Sequence, residues 1–403
     1  MSGHNRIAKI LRLFICAGLC FYVNSNANAQ KTTDSTFKPS GKLWGYAFGD
    51  YYYKAHSDSL NRGGTNQYTG IEKGRSAFQF RRIYLGYNYD ISPKFSAEML
   101  LAAEDNIATS TGANSGDLLT NNKLTYYIKL ANLRWRGIWK GTDFVIGQVA
   151  TPAFPLLTEA IWGYRSVERT VSDLRRTPSF DLGATLQGRF DSKGNYGYNV
   201  MVGNGTSAKP ENDKYKWFYA DVFAKFLDQK LIFDLYADYE KLPGSTSTYT
   251  HSRNMIKGYA AYTTPKYTIG VEAFVNHGQN DVVGSNVNLK DTLSADANAV
   301  SVYVKGRITK DKLGFFARVD SYNPDSKYDN TKYASYKGLA SNYEPNNKEI
   351  FINAGLDFTP VKNVHFMPNI WYNRYASQQA NLSGAAYRDH DLVFRLTFYY
   401  IYR

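Results

Sequence analysis

The side chains of this chain alternate between apolar and polar over many short segments, and this alternation constrains the fold more than any other feature. Between residues 231 and 240, for example, Phe233 and Leu235 flank Asp234, and Tyr239 follows Asp238. A β-strand turns successive side chains to opposite faces, so each such segment has one apolar and one polar face. The sequence therefore predicts an all-β protein.

Sixteen segments of this kind follow one another along the chain. They lie near residues 41–55, 76–90, 94–104, 124–136, 142–150, 180–190, 195–204, 215–226, 230–241, 253–264, 266–276, 298–309, 312–322, 348–359, 363–375 and 389–402. Every even-numbered segment is followed by a short connection such as DISPK or LDQ, and every odd-numbered one by a long polar connection such as 56–75, 277–297 or 323–347. This regularity is typical of a transmembrane antiparallel β-barrel with all its short turns on the periplasmic side. Sixteen strands enclose an aqueous lumen, and closure leaves no unpaired strand edge in lipid.

Aromatic residues cluster beside the short turns. They are Tyr87, Tyr89, Trp135, Tyr196, Tyr198, Phe226, Tyr262, Tyr267, Phe315, Phe358 and Phe366. Aromatic side chains at one end of a membrane barrel form a girdle at the lipid headgroups, and the pattern predicts such a girdle here.

The N-terminus has the features of a secretory signal. Basic residues precede an apolar run over 13–23, and Ala27-Asn28-Ala29 is a small-x-small cleavage site, so we expect residues 1–29 to be removed after Ala29. Both cysteines fall inside this signal. The expected organisation is a signal peptide, a short periplasmic segment over 30–40, and one outer-membrane barrel over 41–403.

One stretch departs from the strand pattern. Within the third long connection, 151–179, Ile161, Tyr164, Val167, Val171 and Leu174 recur at helical spacing and predict an amphipathic helix over 160–176. In a sixteen-stranded barrel this connection can fold inward and narrow the lumen, with charged side chains setting ion selectivity. The candidate constriction residues are Arg165, Arg169, Arg175, Arg176, Glu168 and Asp173. The alternative is a helix across the outer mouth, with its arginines neutralised by neighbouring acids.

Strand parity predicts which charged residues line the lumen. The basic set is Arg189, Lys225, Lys305, Arg307, Arg318 and Arg395, and the acidic set is Asp181, Asp221, Asp234, Asp238, Glu272, Asp320 and Asp357. The two sets nearly balance, so any anion preference is expected to come from the 151–179 connection, whose net charge is slightly positive. The consecutive Arg81 and Arg82 break the alternation and predict a β-bulge.

Four stretches, QFRRIYLGYNYDISPKFSAEM (79–99), VIGQVATP (145–152), LGATLQGRF (182–190) and NVMVGNG (199–205), resemble the phosphate-selective porin O and P family of outer-membrane porins. The resemblance implies a trimeric porin that passes small hydrophilic or anionic solutes by diffusion, with an inward third loop and basic residues along the pore. By position, the arginines of 151–179 are the candidates for that role. The fifth long connection, 242–252, lacks the Lys or Arg of selective members, which favours a weak anion preference over strict phosphate selection.

The sequence contains no motif that indicates catalysis or cofactor binding. Protease, P-loop and nucleophile-elbow motifs are absent, and the 6 histidines are scattered, with His390 predicted to be a solvated residue near a strand end. We therefore predict no catalytic residues, no metal and no cofactor. The net charge of +13 comes without a basic tract, which favours lipopolysaccharide phosphates and outer-membrane lipid over nucleic acid as partners. The alternative function is a non-conducting surface barrel, either an adhesin or an enzyme with its site among the loops.

Overall fold

The computed structural model describes residues 37–64, 66–104, 119–120, 123–243, 250–284, 292–334, 339–340 and 345–402. The predicted signal peptide and most of the 30–40 segment lie outside these residues. Pro39–Arg403 form one unit by their internal contacts.

Sixteen long strands make up the wall. They are β1 Ser40–His56, β2 Ser76–Asp90, β3 Phe95–Glu104, β4 Tyr127–Trp139, β5 Thr142–Ala150, β6 Phe180–Arg189, β7 Tyr196–Gly203, β8 Trp217–Phe226, β9 Leu231–Leu242, β10 His251–Thr263, β11 Tyr267–Gly284, β12 Thr292–Thr309, β13 Leu313–Asn323, β14 Asn347–Val361, β15 Val364–Ser377 and β16 Arg388–Tyr402. Two-residue strands also occur at Leu119–Thr120, Lys123–Leu124 and Leu339–Ala340, the last of which pairs with the end of β11.

Each long strand pairs antiparallel with its sequence neighbours, and β1 also pairs with β16, from Gly45 opposite Tyr402 to His56 opposite Leu392. The barrel is therefore closed, and the predicted sixteen-stranded antiparallel barrel is confirmed. The connections after even-numbered strands are short, such as 140–141 and 264–266, whereas 151–179 and 204–216 follow odd-numbered strands.

The wall of the barrel has polar side chains on its inner face and apolar side chains on its outer face, which is the reverse of a water-soluble protein. In β9, Asp234 and Asp238 are buried inside the barrel, whereas Phe233, Leu235 and Tyr239 are exposed on the outside. Of the aromatic residues predicted to form the girdle, all are exposed except Tyr198 and Phe315, which are half-buried. An apolar outer band with exposed aromatics beside the turns is what lipid requires of a membrane barrel.

Two local predictions have different outcomes. The bulge is confirmed, because Phe48 pairs with Arg82 and Gly49 with Phe80, which leaves Arg81 as the extra residue and turns both arginines inward. The long connection expected over 277–297 is wrong, because β11 and β12 extend to Gly284 and from Thr292 and continue to pair across a register shift.

Four short helices lie in the described parts of the long connections: α1 Thr158–Trp162, α2 Val171–Arg175, α3 Asn330–Ala334 and α4 Gly384–Tyr387. Within the described parts of the chain, none of them has the length and apolar character needed to cross a bilayer.

Candidate functional site

Residues 151–179, here called the inner segment, lie within the barrel. Their two ends are held together where β5 ends and β6 begins, because Thr151 Oγ1 donates a hydrogen bond to the Pro178 carbonyl at 2.7 Å. Between these ends the segment bonds to inward side chains on nearly opposite sides of the wall, including Asp238 of β9 and Arg81 of β2. The segment therefore crosses the interior.

The predicted single helix over 160–176 is wrong. The segment forms α1 and α2 with an irregular connector, 163–170, between them. Helix α1 ends because Gly163 adopts a left-handed φ of 68° and its main-chain N–H donates to the Glu159 carbonyl, as in a glycine C-cap. Arg165 and Arg169 consequently lie in the connector and do not share a helix face.

The apolar residues of the inner segment pack against the wall as predicted. Trp162 and Val167 are buried in a cluster with Tyr259, Tyr303 and Phe316, and the Trp162 and Tyr303 rings are 4.8 Å apart. A second cluster buries Val171 against other inward side chains. These contacts fix the segment by burial of apolar surface.

Each of the four predicted constriction arginines forms an ion pair with a carboxylate. Arg165 pairs with Glu159 and with Asp173, the latter at 2.7 Å; Arg169 pairs with Glu168 at 3.9 Å; Arg175 pairs with Glu349 at 2.8 Å; Arg176 pairs with Asp238 at 2.6 Å. Their side chains are 13%, 26%, 6% and 1% exposed, respectively. Arg169 is thus the most accessible to a passing ion, and the positive charge of the others is largely neutralised.

Three wall arginines bind the connector. Arg81 donates to the Ser166 carbonyl, Arg395 donates to the Val167 carbonyl at 3.0 Å, and Arg318 donates to the Arg169 carbonyl. Carbonyls in an irregular segment have no helical donors, so buried ones need side-chain partners. Arg318 and Arg395, predicted as pore-lining charges, therefore act as anchors for the inner segment.

The pKa values of two carboxylates in the inner segment are shifted in opposite directions by their surroundings. Burial raises the pKa of Glu159, and the nearby Arg165 only partly offsets this effect. Burial also acts to raise the pKa of Glu168, but surrounding guanidiniums, first that of Arg169, hold this pKa below its usual range. Glu168 also accepts a hydrogen bond from the Trp371 indole at 2.8 Å, so its ionised form is well anchored.

Most of the remaining wall residues are either acids bonded to other protein groups or basic residues near the short turns. Glu272 accepts from the Ser172 main chain at 3.3 Å, Asp234 pairs with Lys257 at 3.3 Å, and Asp221 accepts from Asn199 at 2.7 Å. Asp181 accepts main-chain bonds from the 204–216 connection, and Asp320 pairs with Arg318. Arg189, Lys225, Lys305 and Arg307 lie on the inward-facing register near the short turns, where they are half-buried or exposed. Most of the wall acids are therefore engaged with protein groups.

A cavity of about 420 Å³ lies between the inner segment and the short-turn end of the barrel. Its lining includes Tyr164, Lys305, Arg307 and His365. Arg307 pairs with Asp311 at 2.8 Å, whereas among the described residues Lys305 has no carboxylate partner and its ammonium lies 5.8 Å from the Tyr164 ring. Lys266 also lines the cavity but is exposed at the short turn, whereas Lys305 is half-buried inside the barrel. Lys305 is therefore the interior cation of this space without a carboxylate partner among the described residues.

Sequence reasoning missed several interior groups. The 57–75 connection, expected outside, packs Tyr68 into the barrel, where its hydroxyl donates to Asp50 at 3.0 Å and its carbonyl accepts from Lys54 at 2.7 Å. Glu349 and Lys257 also face inward and contact the inner segment. The alternation of inward and outward residues, applied to every strand, would have identified Glu349 and Lys257. The 57–75 connection has no such alternation, so its inward path could not be predicted in this way.

No family model matches the chain, and no curated protein matches it. Several solved structures, however, match the fold of the chain. The outer membrane channel DcaP of Acinetobacter baumannii is 12% identical, with 90% of this chain and 97% of that chain covered and a TM-score of 0.61. Salmonella typhi OmpF, in complex with daunomycin, is 11% identical over 90% and 97%, with a TM-score of 0.55. A trimer form of OmpT of Vibrio cholerae is 10% identical over 91% and 100%, with a TM-score of 0.53. At these identities the likeness shows the fold alone: the chain has the closed β-barrel fold of outer-membrane porins.

Proposed function

We propose that the chain forms a narrow channel through the outer membrane, through which small hydrophilic solutes and ions diffuse passively. The observation that carries this proposal is the inner segment, which crosses a polar interior enclosed by a wall with an apolar outer face. Because the segment occupies much of the cross-section, the passage is restricted to the space that its side chains leave open. The inner segment is, on this proposal, the constriction.

The cellular context of the proposal follows from the sequence and the fold. The chain would be exported, cleaved after Ala29 and inserted into the outer membrane, in contact with lipid and lipopolysaccharide. We propose a homotrimer, which the trimer form of the similarly folded OmpT supports. We propose no catalytic activity, in keeping with the lack of protease, P-loop and nucleophile-elbow motifs in the sequence.

We propose a weak preference for anions, phosphate among them, in keeping with the sequence resemblance to the phosphate-selective porins. The segment arginines are paired with acids, so their electrostatic effect on a passing ion is small. The cation expected to matter most is Lys305, together with Arg307 in the same cavity. Strict phosphate selection would need several uncompensated cations at one place.

A second candidate function is a non-conducting surface barrel, an adhesin or a loop-sited enzyme. The dense packing of the interior favours it, because both 57–75 and the inner segment are tied to the wall by buried polar contacts. If these contacts closed the lumen completely, the long outer connections would carry the function instead.

Liposome swelling separates the two candidates. Purified protein reconstituted into liposomes is expected to admit small solutes such as glycine and arabinose, with rates that fall steeply with solute size because the inner segment narrows the passage. Protein-free liposomes are the control. Barrels that insert but admit none of these solutes would favour the non-conducting function.

Replacing Arg165 and Arg169 together with Gln is expected to move ion selectivity toward cations. The substitutions remove the guanidiniums that pair with Glu159, Asp173 and Glu168, so each of these carboxylates loses a cationic partner. The reversal potential of the reconstituted channel in a KCl gradient measures this change. An unchanged reversal potential would mean that these side chains lie away from the open passage.

A further inference from the structure

Two histidines and an aspartate meet where the first and last strands of the barrel pair. His56 is the last residue of β1, and Asp389 and His390 are near the start of β16. The two imidazole rings are stacked, with centroids 3.9 Å apart and planes 8° from parallel. Asp389 Oδ1 is 3.7 Å from Nδ1 of each histidine. One ligand atom from each residue lies within 4.8 Å of the others.

Hydrogen bonds orient the His56 imidazole and the Asp389 carboxylate of this cluster. His56 Nδ1 donates to the main-chain carbonyl of His390 at 2.8 Å, which leaves Nε2 with its lone pair. In metal sites, a carbonyl that accepts from the other ring nitrogen orients the imidazole and fixes its tautomer. The Asp389 carboxylate is likewise fixed, because Oδ2 accepts from the Ser59 main chain at 3.0 Å.

The charges nearby leave Asp389 without a permanent cation. Lys54 pairs with Asp391 at 2.7 Å, and Arg62 pairs with Asp58 at 2.5 Å. Among the residues that the structure describes, the only basic groups in salt-bridge distance of Asp389 are the two histidines. A carboxylate next to two neutral imidazoles supplies one negative charge and two nitrogen ligands.

We propose that His56, Asp389 and His390 bind a divalent transition-metal ion, with Zn²⁺ as the probe, across the seam that closes the barrel. Imidazole nitrogens select borderline ions such as Zn²⁺ over Ca²⁺ or Mg²⁺, and three protein ligands leave further positions for water. Ligand atoms around such an ion lie about 3 to 3.5 Å apart, given metal–ligand bonds of about 2.1 Å. The histidine side chains are 36% and 34% exposed, so an ion from solvent can reach them, and its binding would draw the ligand atoms together to that spacing. Sequence analysis missed this site because His56 and His390 are 334 residues apart.

The bound ion would join β1 to β16, so it stabilises the closed barrel. A ligand that binds only the folded state raises the unfolding temperature. Isothermal titration of the detergent-solubilised protein is expected to show one Zn²⁺ per chain, and thermal unfolding to shift upward with Zn²⁺. His56→Ala and His390→Ala should each weaken binding at least about tenfold and abolish the thermal shift.

The matched control is His277→Ala. His277 also lies close to an aspartate, at 2.6 Å from Asp296, but among the described residues it belongs to no group of three possible metal ligands. This variant should bind Zn²⁺ as the unmodified protein does. Unchanged Zn²⁺ binding in both His56→Ala and His390→Ala, loss of binding in His277→Ala, or equal binding of Ca²⁺ would each overturn the assignment. None of these readouts depends on whether the barrel conducts.

Discussion

Replacing Glu349 with Ala is expected to raise the single-channel conductance severalfold. Glu349 accepts both guanidinium bonds of Arg175, at 2.9 and 2.8 Å, and also accepts from Asn66 at 3.0 Å and from Asn373. It therefore holds the inner segment and the 57–75 connection at one point of the wall. Removing one partner of a buried ion pair costs about 3–5 kcal/mol, because the other charge stays buried without compensation. That cost falls on the docked segment, since the strand pairing of the barrel is unchanged.

The matched control for this substitution is Glu211→Ala. Glu211 pairs with Lys216 at 2.5 Å, but both side chains are partly exposed, and such surface pairs contribute only about 0–1 kcal/mol. The single-channel conductance of the Glu211→Ala variant should equal that of the unmodified protein. A conductance unchanged by Glu349→Ala, in a barrel that still folds, would show that the segment does not limit the current.

Replacing Lys305 with Gln is expected to move the reversal potential in a KCl gradient clearly toward cation selectivity. Lys305 lines the cavity below the inner segment, and among the described residues it has no carboxylate partner to balance its charge. An uncompensated charge in a narrow passage with little water acts on ions more strongly than one in bulk solvent.

Lys230→Gln is the control for Lys305→Gln. Lys230 lies in the short turn before β9, is exposed, and carries the same charge. It faces bulk solvent, where salt screens single charges within about 10 Å at 0.1 M. Equal shifts for both lysine variants would mean that selectivity comes from overall charge, in contradiction to the role given to Lys305.

The wall of the barrel was largely predictable because lipid imposes one rule on every strand. Outward side chains must be apolar, so the period of two survives across all sixteen segments, and β2 and β5 have the predicted bounds. The extensions of β11 and β12 were not predictable. Beyond the membrane a strand has no lipid-facing side, and residues such as His277, opposite Asp296, and Gly278, opposite Ala295, continue the pairing without a periodic signal.

The candidate site was predictable in position but not in detail. The helical spacing over 160–176 marked the inner segment and its apolar contacts, including Val167 and Val171. It did not show that Gly163 ends the first helix, because glycine is compatible both with a helix interior and with the left-handed conformation that Gly163 adopts. Ion pairs such as Arg175 with Glu349 join residues 174 positions apart, and no local pattern reports them.

The central claim is that the inner segment lies in the conducting passage, and a single cysteine tests it directly. Both native cysteines, Cys16 and Cys20, lie in the predicted signal peptide, so Ala160→Cys would supply the one thiol of the mature chain. Ala160 is exposed in α1 and lines a second cavity of about 230 Å³ with Glu159 and Arg165.

The measurement is the current through single Ala160→Cys channels in a planar bilayer, before and after a cationic methanethiosulfonate reagent is added. Ala208→Cys, exposed in the 204–216 connection, is the control. We expect stepwise currents whose amplitude falls after modification of residue 160 and stays constant after modification of residue 208. An unchanged amplitude in the modified Ala160→Cys channel, or insertion without any current steps, would contradict the account.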